Sequence, residues 1–136
     1  MKVYNLNTLT SFEEQNLCLT IGNFDGVHKG HQFVINQIIS YSKSFNLNNA
    51  VMSFTPHPRV FFGYTKDVFN ILTKEEKLRI LEDMGIEIYI DFDFDEYLSN
   101  LTAEEFIRDI IVKKLKVKKI IVGSDFRFGK DRKGNL

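Results

Sequence analysis

Four short apolar runs, each separated from the next by a stretch that includes helical periodicity, constrain this 136-residue chain more tightly than any other feature. Leu17-Cys18-Leu19-Thr20-Ile21-Gly22 reads as a buried strand, because a continuous apolar run bounded by glycine suits a sheet covered on both faces. After the turn at Gly26 to Gly30, the apolar positions Phe33, Val34, Ile38 and Ile39 predict a helix from about His31 to Phe45. Ala50 to Phe54 reads as a second strand, stopped by Pro56 and Pro58. Thr73 and Glu76 carry a capping-box signature that opens a helix through Leu81 to Gly85. Thr102 and Glu105 repeat it ahead of Phe106, Ile107, Ile110 and Ile111. Ile86 to Ile90 and Lys119 to Gly123 supply the remaining strands, and the polar stretch Ser124 to Leu136 reads as loop. Strands alternating with helices predict βαβ units, right-handed crossovers and a single α/β domain on a mostly parallel sheet.

In an open sheet of this kind ligands gather beyond the carboxyl ends of the strands. The unusual segments all follow strands: Asn23 to His31, Thr55 to Phe62, and Ser124 to Arg132. Three loops are therefore expected to converge on one crevice. A balance of 18 basic against 18 acidic residues argues against a nucleic-acid partner. The five lysines between Lys113 and Lys119 fit a solvated helix end, where cations suit the dipole. Asp91 to Glu96 reads as a strand exit with solvated carboxylates, since nothing in it matches a calcium loop. No stretch approaches the ~20 apolar residues of a membrane span. The N-terminus lacks the apolar core of a signal peptide, and the lone Cys18 permits no internal disulfide. These features predict a soluble cytoplasmic protein with no membrane partner.

The chemistry concentrates in the first loop, where His28 and His31 flank Gly30 at the start of a helix that follows a strand. A helix N-terminus offers unpaired N–H groups and a partial positive charge, so it attracts anions. Two imidazoles there add hydrogen-bond donors that switch near neutral pH, and Gly30 permits close approach of a polyphosphate. No Walker A pattern is present. A zinc site lacks a third ligand. Helix caps or surface histidines are the bland alternative. Asn23 and Asp25 suit phosphate or metal-bound water, and Asp25 equally suits a turn.

The string from Gly22 to Gln32, with Asn23, Phe24, Asp25, Gly26, Val27, His28, Lys29, Gly30 and His31, resembles the HxGH signature of the nucleotidyltransferase superfamily. More narrowly, it is similar to the bacterial riboflavin kinase/FAD synthetase branch. Phe54-Thr55-Pro56-His57-Pro58-Arg59 and Val122-Gly123-Ser124-Asp125-Phe126-Arg127-Phe128-Gly129 match the same branch. The resemblance implies a Rossmann-like, doubly wound α/β fold in which residues 1–136 form the FAD synthetase module. It implies transfer of AMP from ATP to FMN, with catalysis by His28, His31 and Asn23. Gly22, Asn23, Phe24, Asp25, Gly30 and His31 are expected on the ATP side, and His57, Phe62, Asp125 and Phe128 on the flavin side. No protein metal ligand is expected; Mg²⁺ is expected mainly on the substrate phosphates.

In that family the module continues to a Ser/Thr-rich motif ending in arginine, and a riboflavin kinase domain is normally attached; neither is expected within residues 1–136. Two other readings stand beside this one. An HxGH adenylyltransferase for another small phosphate would keep the ATP half and replace the flavin half. A non-catalytic flavin or nucleotide-binding module would keep the binding surfaces without turnover.

Overall fold

The computed structural model describes residues 1–8, 12–22, 24, 29–55, 73–93 and 95–123. Among these residues five strands are seen: β1 (Lys2–Asn5), β2 (Leu17–Ile21), β3 (Asn48–Thr55), β4 (Ile88–Asp93) and β5 (Lys119–Ile120). The helices are α1 (Lys29–Phe45), α2 (Lys74–Met84), α3 (Glu96–Ser99) and α4 (Ala103–Phe106), the last continuing as a π-helix over Ile107–Lys114. The sheet order is β1-β4-β3-β2-β5, and every pairing is parallel. This is the expected α/β, doubly wound arrangement.

Alternation along the strands sorts the core into two layers, because successive side chains point to opposite faces. Leu17, Leu19, Ile21, Ala50, Met52, Ile88, Ile90 and Phe92 face the side covered by Leu98 of α3, Phe106 of α4, and Ile110 and Ile111 of the π-helix. Cys18, Val51 and Tyr89 face the other side, under Ile35 and Ile38 of α1 and Leu81 of α2. The chain winds β2–α1–β3–α2–β4 in one direction across the sheet, then reverses to reach β5 beyond β2. Right-handed crossovers place helices on opposite faces when the direction reverses, as the two layers do here.

Local chemistry sets the helix limits. Thr73 accepts a hydrogen bond from the Glu76 amide while the Glu76 carboxylate accepts from the Thr73 amide, completing the first capping box. Thr102 and Glu105 complete the second in the same way. Gly85 ends α2 at φ 111°, a left-handed conformation that favours glycine.

Several boundaries differ from expectation: α1 starts at Lys29 and β3 at Asn48, each two residues early. β1 forms from a segment with no continuous apolar run, and pairs with β4 at the sheet edge. β4 starts two residues after Ile86 and runs on to Asp93, because the chain first leaves the Gly85 cap. β5 is paired only over Lys119–Ile120, although the Ile121 amide still donates to the Leu19 carbonyl at 3.0 Å.

Candidate functional site

Since the sheet is parallel, the chain leaves β2, β3, β4 and β5 at one edge, after Ile21, Thr55, Asp93 and Ile120. The order reverses at β2, with β3 on one side and β5 on the other. Such a reversal point opens a crevice at the carboxyl edge, where ligands bind in sheets of this kind. The first helix to start there is α1, directly after β2.

The first turn of α1 differs from those of the other helices. It contains no acidic residue and carries Lys29, Gly30 and His31. The first turns of α2, α3 and α4 contain Glu75 and Glu76, Glu96, and Glu104 and Glu105 respectively. A helix N-terminus holds roughly half a positive charge. In α2 to α4 nearby carboxylates answer it, whereas in α1 no carboxylate of the first turn competes with an outside anion.

Behind this turn, Gly22, Phe24 and His31 are stacked. The Gly22 amide donates to the Met52 carbonyl at 3.0 Å, continuing the β2–β3 ladder beyond the strand. Phe24 is only 5% exposed and joins the buried cluster with Ile35 and Ile38. Its ring meets the half-buried His31 edge to face, with centroids 5.1 Å apart and planes at 76°. Gly30 is exposed on the first turn of α1. Of the residues singled out from the sequence, Gly22, Phe24, Gly30 and His31 are thereby brought together. Asn23, Asp25, His28, His57, Phe62, Asp125 and Phe128 lie outside the described residues.

A second polar group was not evident from the sequence. Asp91 of β4 is buried, and its Oδ2 lies 2.6 Å from Lys74 Nζ at the start of α2. Ser53 pairs with Asp91 in register on β3 and accepts a hydrogen bond from the Tyr89 hydroxyl at 2.8 Å. Lys77 Nζ lies 5.8 Å from the Tyr89 ring centroid. The run Asp91 to Glu96 is therefore a row of solvated carboxylates only at its end, where Asp95 and Glu96 are exposed. Asp91 is buried in an ion pair, Asp93 Oδ1 accepts from Asn5 Nδ2 at 3.3 Å, and Asp95 caps α3 through the Leu98 amide. The signal available in the sequence was the alternation Tyr89, Asp91, which puts both side chains on the α1–α2 face.

Among the described residues no group of three or more His, Cys, Asp and Glu is placed to hold a metal ion. Nor is any helix among them long and apolar enough to cross a membrane.

Residues 10–136 match the family model for FAD synthetase. Over 134 residues the chain is 38% identical to the bifunctional riboflavin kinase/FMN adenylyltransferase of Escherichia coli K12, covering 98% of this chain and 43% of that protein. The protein of the same description from Bacillus subtilis is 34% identical over 125 residues, 91% of this chain and 39% of the relative. A solved structure from Streptococcus pneumoniae, described as a macrolide-efflux protein, matches with a TM-score of 0.83 at 30% identity. That match covers 98% of this chain and 44% of the other. The chain thus spans about two fifths of the length of the curated relatives it matches. A family model covering nearly all of the sequence, on a sheet whose reversal point lies beside the N-terminus of α1, assigns the chain: it belongs to the FAD synthetase family.

Proposed function

We propose that this chain transfers AMP from ATP to FMN, yielding FAD and pyrophosphate. A phosphate oxygen of FMN attacks the α-phosphorus of ATP, the bond from that phosphorus to the β-bridging oxygen breaks, and pyrophosphate departs with the bonding pair. The observation that carries this reading is the first turn of α1, cationic and free of carboxylates, at the reversal point of the sheet. His31 lies within that turn and, with His28, would donate hydrogen bonds to the triphosphate and to charge developing on the α-phosphoryl group. Electrostatic donors aimed at developing charge are the main route for this chemistry, and one such donor contributes about 3 kcal/mol, or roughly a hundredfold in rate.

Gly22, Asn23, Phe24, Asp25 and Gly30 make up the rest of the ATP side, and His57, Phe62, Asp125 and Phe128 the flavin side. Mg²⁺ suits a site where the phosphates bring most of its ligands. Within the described residues no group of three or more His, Cys, Asp and Glu is placed to hold a metal ion. Bound with the nucleotide, the ion would neutralise charge on the leaving pyrophosphate. The setting is cytoplasmic, where ATP is abundant. A riboflavin kinase domain, paired with this activity in the names of the relatives, is the neighbour that would supply FMN.

Incubating the protein with ATP, Mg²⁺ and FMN and separating the products by chromatography tests the reading. FAD and pyrophosphate should appear in equal amounts. FMN binding without turnover would instead identify a binding module, and neither binding nor turnover would point to a different phosphate acceptor.

A further inference from the structure

We propose, resting on the adenylyl-transfer reading above, that Phe24 is a positioning residue that holds the His31 imidazole in one orientation at the N-terminus of α1. His31 is half-buried, and an imidazole has two side-chain torsions that sample several rotamers unless neighbours fix them. A donor aimed at a phosphate oxygen is effective only when its direction is fixed in advance. The Phe24 ring supplies a fixed wall: it is 5% exposed, packed with Ile35 and Ile38, and meets the His31 ring at 5.1 Å and 76°. This tilted geometry is one that aromatic rings favour, so it restricts the plane of the imidazole as well as its position.

Two further observations indicate that the wall is built in. Phe24 has a backbone φ of 55°, the left-handed region, which a bulky L-residue adopts only when its surroundings impose it. Its ring also lies across Gly22, where an added Cβ would fall 3.2 Å from Cε2 and 3.3 Å from Cζ of Phe24. Gly22 therefore leaves room for the ring, and the ring backs His31. An ordinary core phenylalanine would also be buried. It would need neither the left-handed backbone nor an imidazole as its neighbour.

The test combines kinetics with the nuclear magnetic resonance of the His31 side chain, assigned among the three histidines by its loss in His31→Ala. Phe24→Leu should lower kcat about tenfold, leave KM for FMN within about twofold, and let the His31 side chain average over rotamers, read from its three-bond couplings about χ1. In the His31→Ala background the same substitution should change kcat no further, because its effect passes through the imidazole. A purely structural Phe24 would give the same factor in both backgrounds, or leave His31 in a single side-chain rotamer, and either result overturns the proposal. If Phe24→Leu does not fold, Phe24→Met retains most of the volume and carries the same readouts. Should the wild-type protein make no FAD, the adenylyl-transfer reading fails by itself. The His31 rotamer couplings then decide whether Phe24 orients His31.

Discussion

Lys74 Nζ lies 2.6 Å from Asp91 Oδ2, joining the first residue of α2 to a carboxylate buried on β4. The two partners are unequal. The Asp91 side chain is 6% exposed and that of Lys74 is 54% exposed, so only the carboxylate has been taken out of water. Removing either one should therefore have different consequences.

Lys74→Ala should lower the unfolding free energy by about 1–2 kcal/mol, less than for a fully buried pair because solvent screens the lysine. Asp91→Asn should lower it less, since Lys74 can rehydrate when the carboxylate charge is gone. Urea unfolding of the two variants measures both values. Equal losses would mean that the pair does not hold α2 to the sheet edge.

Tyr4 offers an alkaline test. Its hydroxyl donates to Glu14 Oε2 at 2.6 Å, and this hydrogen bond, with burial and the charges of Glu14 and Glu13 adding to it, pushes the Tyr4 pKa up to about 12. A raised pKa favours the protonated hydroxyl in the folded state. The stabilisation is thus complete below the ordinary tyrosine value of about 10 and is lost as pH rises from there through about 12. Phenolate absorbance should show a late step, near pH 12, to which Tyr4 contributes. Tyr4→Phe should remove one phenol's absorbance from that step; an undiminished step would assign it to another tyrosine.

The two capping boxes should respond to acid. The Glu76 carboxylate is held below its ordinary pKa first by its hydrogen bonds with Thr73, and Glu105 likewise by its bonds with Thr102. Groups with depressed pKa values stabilise the fold above their unfolded values and lose that contribution as pH falls through the folded ones. Helix content followed by circular dichroism should therefore decline as both carboxylates protonate, below about pH 4.5. Thr73→Ala and Thr102→Ala should each lower stability by about 1 kcal/mol at neutral pH. A loss that is the same at acid and neutral pH would separate the threonine caps from their glutamates.

Cys18 provides a probe of global opening. It is fully buried in β2, and desolvation pushes its thiol pKa up, which disfavours the reactive thiolate. A thiol reagent should label it at the rate of unfolding and no faster. Rapid labelling under native conditions would show that β2 opens locally.

The central strands and helices were legible because their signals are local. A run such as Leu17 to Ile21 or a pair such as Thr73 and Glu76 announces itself within a few residues, and the described elements follow them. β1 was not legible. Val3 is exposed, and the strand takes its place only by pairing with β4 more than 80 residues away. Asp91 was misleading for a similar reason: a carboxylate in a run with Asp93 and Asp95 reads as a solvated strand exit until Lys74 is brought to it by the fold. At the site, motif spacing pointed to His31 and Gly30. The burial of Phe24 and its left-handed backbone depend on packing that no spacing rule encodes.

Single-turnover formation of FAD by the wild-type protein and by His31→Ala, with FMN affinity followed by flavin fluorescence, probes the role of the α1 turn most directly. The variant should form FAD about a hundredfold more slowly while binding FMN within about twofold of wild type. An unchanged rate in His31→Ala would remove the imidazole from the reaction and with it the claim that this helix turn gathers the triphosphate.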